Sequence, residues 1–71
     1  MESHPVRLWR ARRRHVHIDA DLSRDGRRWA LTFLRNDRPL ARIDFASEKA
    51  ARAVARAKLR ELQIAGWTEH W

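Results

Sequence analysis

Guanidinium groups are the main chemistry available to this chain. Its 71 residues include sixteen Lys and Arg against nine Asp and Glu, a formal net charge of +7. A balance this basic points to a polyanionic partner: nucleic acid, an anionic surface or an acidic protein. Fourteen of the sixteen cations are arginine. A GC-rich genome gives any small protein that preference, so the positions matter more than the choice of Arg over Lys. Arg7, Arg10, Arg12, Arg13 and Arg14 crowd the first fourteen residues around Leu8 and Trp9, and Arg24, Arg27 and Arg28 cluster further on. With Arg42, these nine are the candidate phosphate contacts, and each phosphate neutralised adds to the salt dependence of binding. Arg35 and Arg38 flank a second turn. Arg52, Arg56 and Arg60 repeat at i, i+4, i+8. That spacing makes one stripe along a helix, which is either a solvated face, a ridge that tracks phosphates or a contact for an acidic partner.

His15, His17, Asp19 and Asp21 alternate, so a strand would project them from one face. His-x-His beside carboxylates is a possible metal arrangement. One strand rarely supplies a whole coordination sphere, however, and the other two histidines, His4 and His70, sit near the ends of the chain. No metal and no cofactor is therefore expected. There is no nucleophile–His–acid ordering and no glycine-rich phosphate loop, and the only two glycines are needed by a turn and a helix cap. An 8.5 kDa chain leaves little room for a substrate pocket. A non-enzyme is expected.

These residues need a scaffold. Across residues 15–23, Val16, Ile18, Ala20 and Leu22 share one face and the His/Asp set the other, the period of a half-buried strand. Asp25-Gly26 then signals a hairpin, because both residues tolerate positive φ. Over residues 28–35, Trp29, Leu31 and Phe33 point inward, and Arg28, Ala30, Thr32 and Leu34 point outward. Asn36-Asp37 makes the next turn. Pro39 cannot donate to a ladder and so marks the start of an edge strand. Residues 40–45 place Ala41, Ile43 and Phe45 inward, with Leu40, Arg42 and Asp44 outward. Leu34 and Leu40 then form an outer apolar patch suited to protein contact.

Phe45-Ala46-Ser47-Glu48 opens a helix running to about Ala65. Ser47 is a good N-cap, and Glu48 suits the positive end of the dipole. Gly66 fits the left-handed position that ends helices, with Trp67 over Leu62. At 100° per residue, Ala50, Ala51, Val54, Leu62 and Ala65 centre the apolar face, flanked by Ala53, Ala55, Ala57, Leu59 and Ile64. The expected fold is α+β: a three-stranded antiparallel meander packed against one C-terminal helix, β-β-β-α.

Residues 1–13 are expected to be a basic N-terminal arm, and residues 14–71 the single domain. The arm either orders on a polyanion or packs Val6, Leu8 and Trp9 onto the domain. A domain of this size buries only about 60% of its unfolded surface. With no cysteine, neither disulfides nor thiolate metal sites can staple it, and dimerisation is one route to added stability. No apolar run is long enough to cross a bilayer, and no apolar h-region follows the basic start. A cytoplasmic location is expected.

Trp29, then Phe45, Ser47 and Ala50 at the strand-to-helix junction, carry a resemblance over residues 15 to about 65. The layout resembles the small DNA-binding domain at the N-terminus of tyrosine recombinases, and is similar to that of plant ethylene-response factors. The resemblance implies DNA contacted by the sheet's outer face, here His17, Arg28, Thr32 and Arg42. Asp19, Asp21 and Asp44 depart from it, since they occupy that face with negative charge. The expected function is a small basic nucleic-acid-binding module, most simply DNA-binding, with an accessory or regulatory role. The alternative is a protein-binding module, an inhibitor or adaptor that docks on an acidic surface through Arg52, Arg56 and Arg60 or through Leu34 and Leu40, with homodimerisation open to either.

Overall fold

Arg7, Arg10 and Arg12 face one way, with Trp9 and Ala11 facing the other, and this alternation makes a strand of the expected arm. The computed structural model describes residues 4–69. Its elements are β1 (Val6–Arg13), β2 (Val16–Asp25), β3 (Arg28–Arg35), β4 (Arg38–Phe45), α1 (Glu48–Ile64) and β5 (Thr68–Glu69). The α+β class and the C-terminal helix are as expected. The sheet is larger: five antiparallel strands in the order β4-β3-β2-β1-β5, not three. One of the added strands is β1, which pairs along β2; the other is β5, a two-residue addition outside β1. A register slip between Arg7 and Trp9 interrupts the period of two in β1. That bulge puts two neighbouring bulky residues where simple alternation allows one.

The core lies between the sheet and α1. Trp9, Ala11, Ile18, Ala20, Leu31 and Phe33 form its floor, and Ala55 of α1 closes it. The Trp9 indole N–H donates to the Ala55 carbonyl at 2.8 Å, and its ring meets Phe33 with centroids 6.0 Å apart. This bond draws the helix toward β1. Ala51 and Ala55 are buried, whereas Val54 is 37% and Ile64 81% exposed. The covering ridge is therefore Ala51–Ala55 with Leu59 and Leu62 half-buried, rotated from the ridge that periodicity alone centres on Val54. Alanines along it allow the close approach that the Trp9 bond requires.

The caps follow the sequence. Ser47 Oγ accepts from the Ala50 N–H at 3.1 Å. At the other end, Trp67 N–H reaches Leu62 O at 2.9 Å and Gly66 N–H reaches Gln63 O at 3.1 Å, with Gly66 at φ 99°, the two bonds of a Schellman ending. The turns differ by a residue in one case. Asp25 stays in β2 opposite Arg28, so Gly26, at φ 62°, and Arg27 make the turn in place of Asp25-Gly26. Asn36 and Asp37 both have positive φ, 49° and 69°, as a tight primed hairpin turn requires.

A second slip, between Phe33 and Leu34, pairs Leu34 with Pro39 and Phe33 with Ala41. Leu40 becomes the extra residue. It lines a groove on the helix side with Ile18, Phe33 and Val54, not the outer face. The expected Leu34–Leu40 patch therefore does not form.

Candidate nucleic-acid interface

The outer face of the sheet is built from charges that answer one another. Arg7 and Arg10 of β1 stand opposite Asp21 and Asp19 of β2. Asp19 is fully buried and takes a two-pronged contact from Arg10, Nε at 2.6 Å and Nη2 at 3.0 Å, with Arg7 Nη2 at 3.4 Å. Burial pushes the Asp19 carboxyl up, but the Arg10 hydrogen bonds and the charges of Arg7 and Arg10 outweigh it, and the group ends below the usual carboxylate range. The same hydrogen bonds raise Arg10. Arg7 also holds Asp21 at 3.1 Å, and Arg42 holds Asp25 at 2.8 Å and Asp44 at 3.2 Å. Three of the predicted phosphate contacts, Arg7, Arg10 and Arg42, are thus tied to the protein's own carboxylates. The face that the resemblance assigns to DNA is largely self-neutralised.

One end of the sheet is different. In a meander, the β1–β2 and β3–β4 turns emerge together. They bring Arg12, Arg13 and Arg14 beside Arg35 and Arg38, all exposed. None of the five forms an ion pair with a described carboxylate. Asp37, the acid in this cluster, is engaged by Arg10 at 3.7 Å and His17 at 3.4 Å. The β3–β4 turn is latched onto β2 by Asn36 Oδ1 accepting from the His17 N–H at 3.0 Å, and by the Asn36 N–H donating to the His17 carbonyl at 3.0 Å. Arg14 sits at φ 58°, a left-handed conformation that costs a side-chain-bearing residue about 1–2 kcal/mol. Arg12 Nε donates to its carbonyl at 3.3 Å.

Between this end and the end of α1 lies a concavity of about 560 Å³. Arg13, Arg14 and Arg35 rim it, Val16, Ile18 and Leu40 floor it, and Trp67 forms a wall. Trp67 is half-buried and packs against the core cluster, so the wall is fixed. The Arg13 guanidinium passes beside Gly66, at the carbonyl end of the helix, where positive charge is favoured.

The remaining predicted contacts lie apart from this end. Arg24, Arg27 and Arg28 surround the β2–β3 turn at the opposite end of the sheet, with Arg24 stacked on Trp29 at 5.6 Å. Arg52, Arg56 and Arg60 are exposed on α1, and Arg52 pairs with Glu48 at 2.7 Å. The structure does gather His17, Asp19 and Asp37, with potential ligand atoms within 4.8 Å of one another. The Arg10 guanidinium already occupies both oxygens of Asp19, and a cation would have to displace it. No described helix is long and apolar enough to cross a membrane.

Sequence reasoning named Arg12, Arg13 and Arg14 but did not join them to Arg35 and Arg38, and it placed Trp67 only against the helix. The missing signal was β1. Once residues 6–13 form a strand, the alternating direction of a meander fixes which turns share an end. No protein-family model, curated protein or solved structure matches the chain.

Proposed function

We propose that this chain is a small non-catalytic nucleic-acid-binding module, with DNA the expected partner and a cytoplasmic place of action, that meets phosphates with the Arg12–Arg14 and Arg35–Arg38 end of its sheet. One observation carries the reading: these arginines meet no carboxylate among the described residues, whereas Arg7, Arg10 and Arg42 on the outer face do. Desolvating a cation that already has a partner gains little, while an unpartnered cation can release counterions from the polyanion. Fluorescence anisotropy with labelled DNA at ~50 and ~200 mM salt tests it, with several contacts giving a log–log slope of roughly −3 to −5. Absence of binding at micromolar protein in low salt ends the proposal.

A second reading has its own observation. β4 is an edge strand exposed along its length except at Phe45. Beside it runs an apolar groove of about 510 Å³, where Leu40 is 59% and Ile43 42% exposed. A second copy of the chain fits this edge. Antiparallel pairing of two β4 strands about Ile43 sets Arg42 of each copy against Asp44 of the other and joins the two grooves, and it satisfies open backbone groups that natural sheets seldom leave bare. Sedimentation at increasing concentration tests it: a dimer abolished by Ile43→Lys supports it, and a monomer at hundreds of micromolar removes it.

A further inference from the structure

We infer that the concavity walled by Trp67 is a seat for one unpaired nucleotide of a single-stranded nucleic acid, its base stacked on the indole and its flanking phosphates held by Arg13, Arg14 and Arg35. This rests on the nucleic-acid reading above and adds the form of nucleic acid that the site selects. At about 560 Å³ the space falls in the roughly 300–1,000 Å³ range of small-ligand sites. Its composition is divided in the way a nucleotide is. The floor of Ile18 and Leu40 is apolar, one wall is aromatic and the rim is cationic. Trp67 is held from behind by the core and from the main chain by its bond to Leu62, so little side-chain freedom is lost when a base stacks on it.

A duplex cannot use this site. Its bases are stacked on one another and offer only their edges, and a concavity at the end of a sheet admits a base only after that base has left the helix. Stacking on an aromatic side chain is sequence-tolerant, because every base has a π-face. The rim then distinguishes a strand from a free nucleotide. Three guanidinium groups around one base suit phosphates on both its sides, and a mononucleotide brings phosphate to one side only.

The test uses the full chain and a fluorescein-labelled oligothymidylate of ~12 nucleotides, a length within the site sizes of single-strand binders, beside a duplex of equal length at the same salt. The expected result is single-strand affinity at least about tenfold above duplex affinity. Trp67→Leu keeps an apolar group on the core while removing the stacking surface. It should lower single-strand affinity about tenfold and leave duplex affinity within twofold, with circular dichroism unchanged. Arg35→Ala, at an exposed residue, should weaken single-strand binding with circular dichroism unchanged. Equal affinity for strand and duplex, or an equal loss on both in Trp67→Leu, overturns the inference while leaving the nucleic-acid reading in place. Thymidine monophosphate competing as well as the oligomer at equal base concentration overturns it too. Failure of both probes to bind at low salt removes the nucleic-acid reading itself, and this inference with it.

Discussion

The outer face and the turn-bearing end of the sheet use the same residue, arginine, for opposite purposes. On the face, Arg7, Arg10 and Arg42 each meet aspartate, and the guanidinium groups belong to the fold. At the end, Arg12, Arg13, Arg14, Arg35 and Arg38 meet no described carboxylate, and their charge is left to the solvent or a ligand. Arg27 and Arg28 at the opposite end and Arg56 and Arg60 on α1 are exposed too, but this end gathers five such arginines, three of them around one concavity. Basic composition alone names no place on the surface; the local pairing separates arginines used by the fold from those that are not.

The largest effect should come from breaking the paired side of this contrast. Asp19→Ala removes the buried acceptor of Arg10 and Arg7, which themselves keep access to water, so the loss is that of charge-assisted hydrogen bonds, about 1.5–3 kcal/mol. In a domain with little stability to spare, the urea midpoint should fall clearly at 25 °C. A change below about 1 kcal/mol would mean that the pair is not part of the fold's support.

The next effect is on binding alone. Replacing Arg13, Arg14 and Arg35 together with alanine should flatten the salt slope by about 2–3 and weaken all sequences alike. The urea midpoint should stay within error, because exposed unpaired side chains contribute little to stability. If the midpoint falls as far as in Asp19→Ala, the contrast between face and end is wrong.

Acid should then separate the two regions. The Asp19 carboxyl lies below its usual range in the folded protein, so its stabilising contribution is present above the unfolded carboxylate pKa. That contribution fades as pH falls through the lower folded value. Urea midpoints measured from pH 7 down toward pH 2 should drop in the native sequence. The drop should be smaller in Asp19→Asn, which has no proton to take up.

The smallest effect sharpens the picture at one residue. Arg14→Gly removes a side chain from a left-handed backbone and should raise stability by about 0.5–1 kcal/mol, while lowering the salt slope by about 1. Stability gained and binding lost in one substitution is the signature of a residue kept for its charge.

Much of the scaffold was legible in the chain. The alternation from Val16 to Leu22, the Asn36-Asp37 turn, Ser47 and the Gly66–Trp67 ending each depend on local chemistry that a short window contains. The two bulges were not legible. A slipped residue beside Leu8 or at Leu40 breaks the alternation at that point in its strand, and only the partner strand reveals it. For that reason β1 read as an arm and Leu40 read as outward; the helix ridge was centred on Val54 in place of Ala55 because the Trp9 bond that draws α1 toward β1 spans distant parts of the chain. The candidate site was legible as a list of arginines and not as a place, because the end it occupies is defined by strand direction across the whole meander.

The indole proton of Trp9 has a consequence of its own. It is held by a helix carbonyl beneath a nearly inaccessible ring, so it can trade with deuterium only when α1 lifts from the sheet. Followed by NMR, the lifetime of that single resonance is a clock for the opening of the roof. A ligand seated against Trp67, just past the end of α1, would slow that clock without touching the proton it counts.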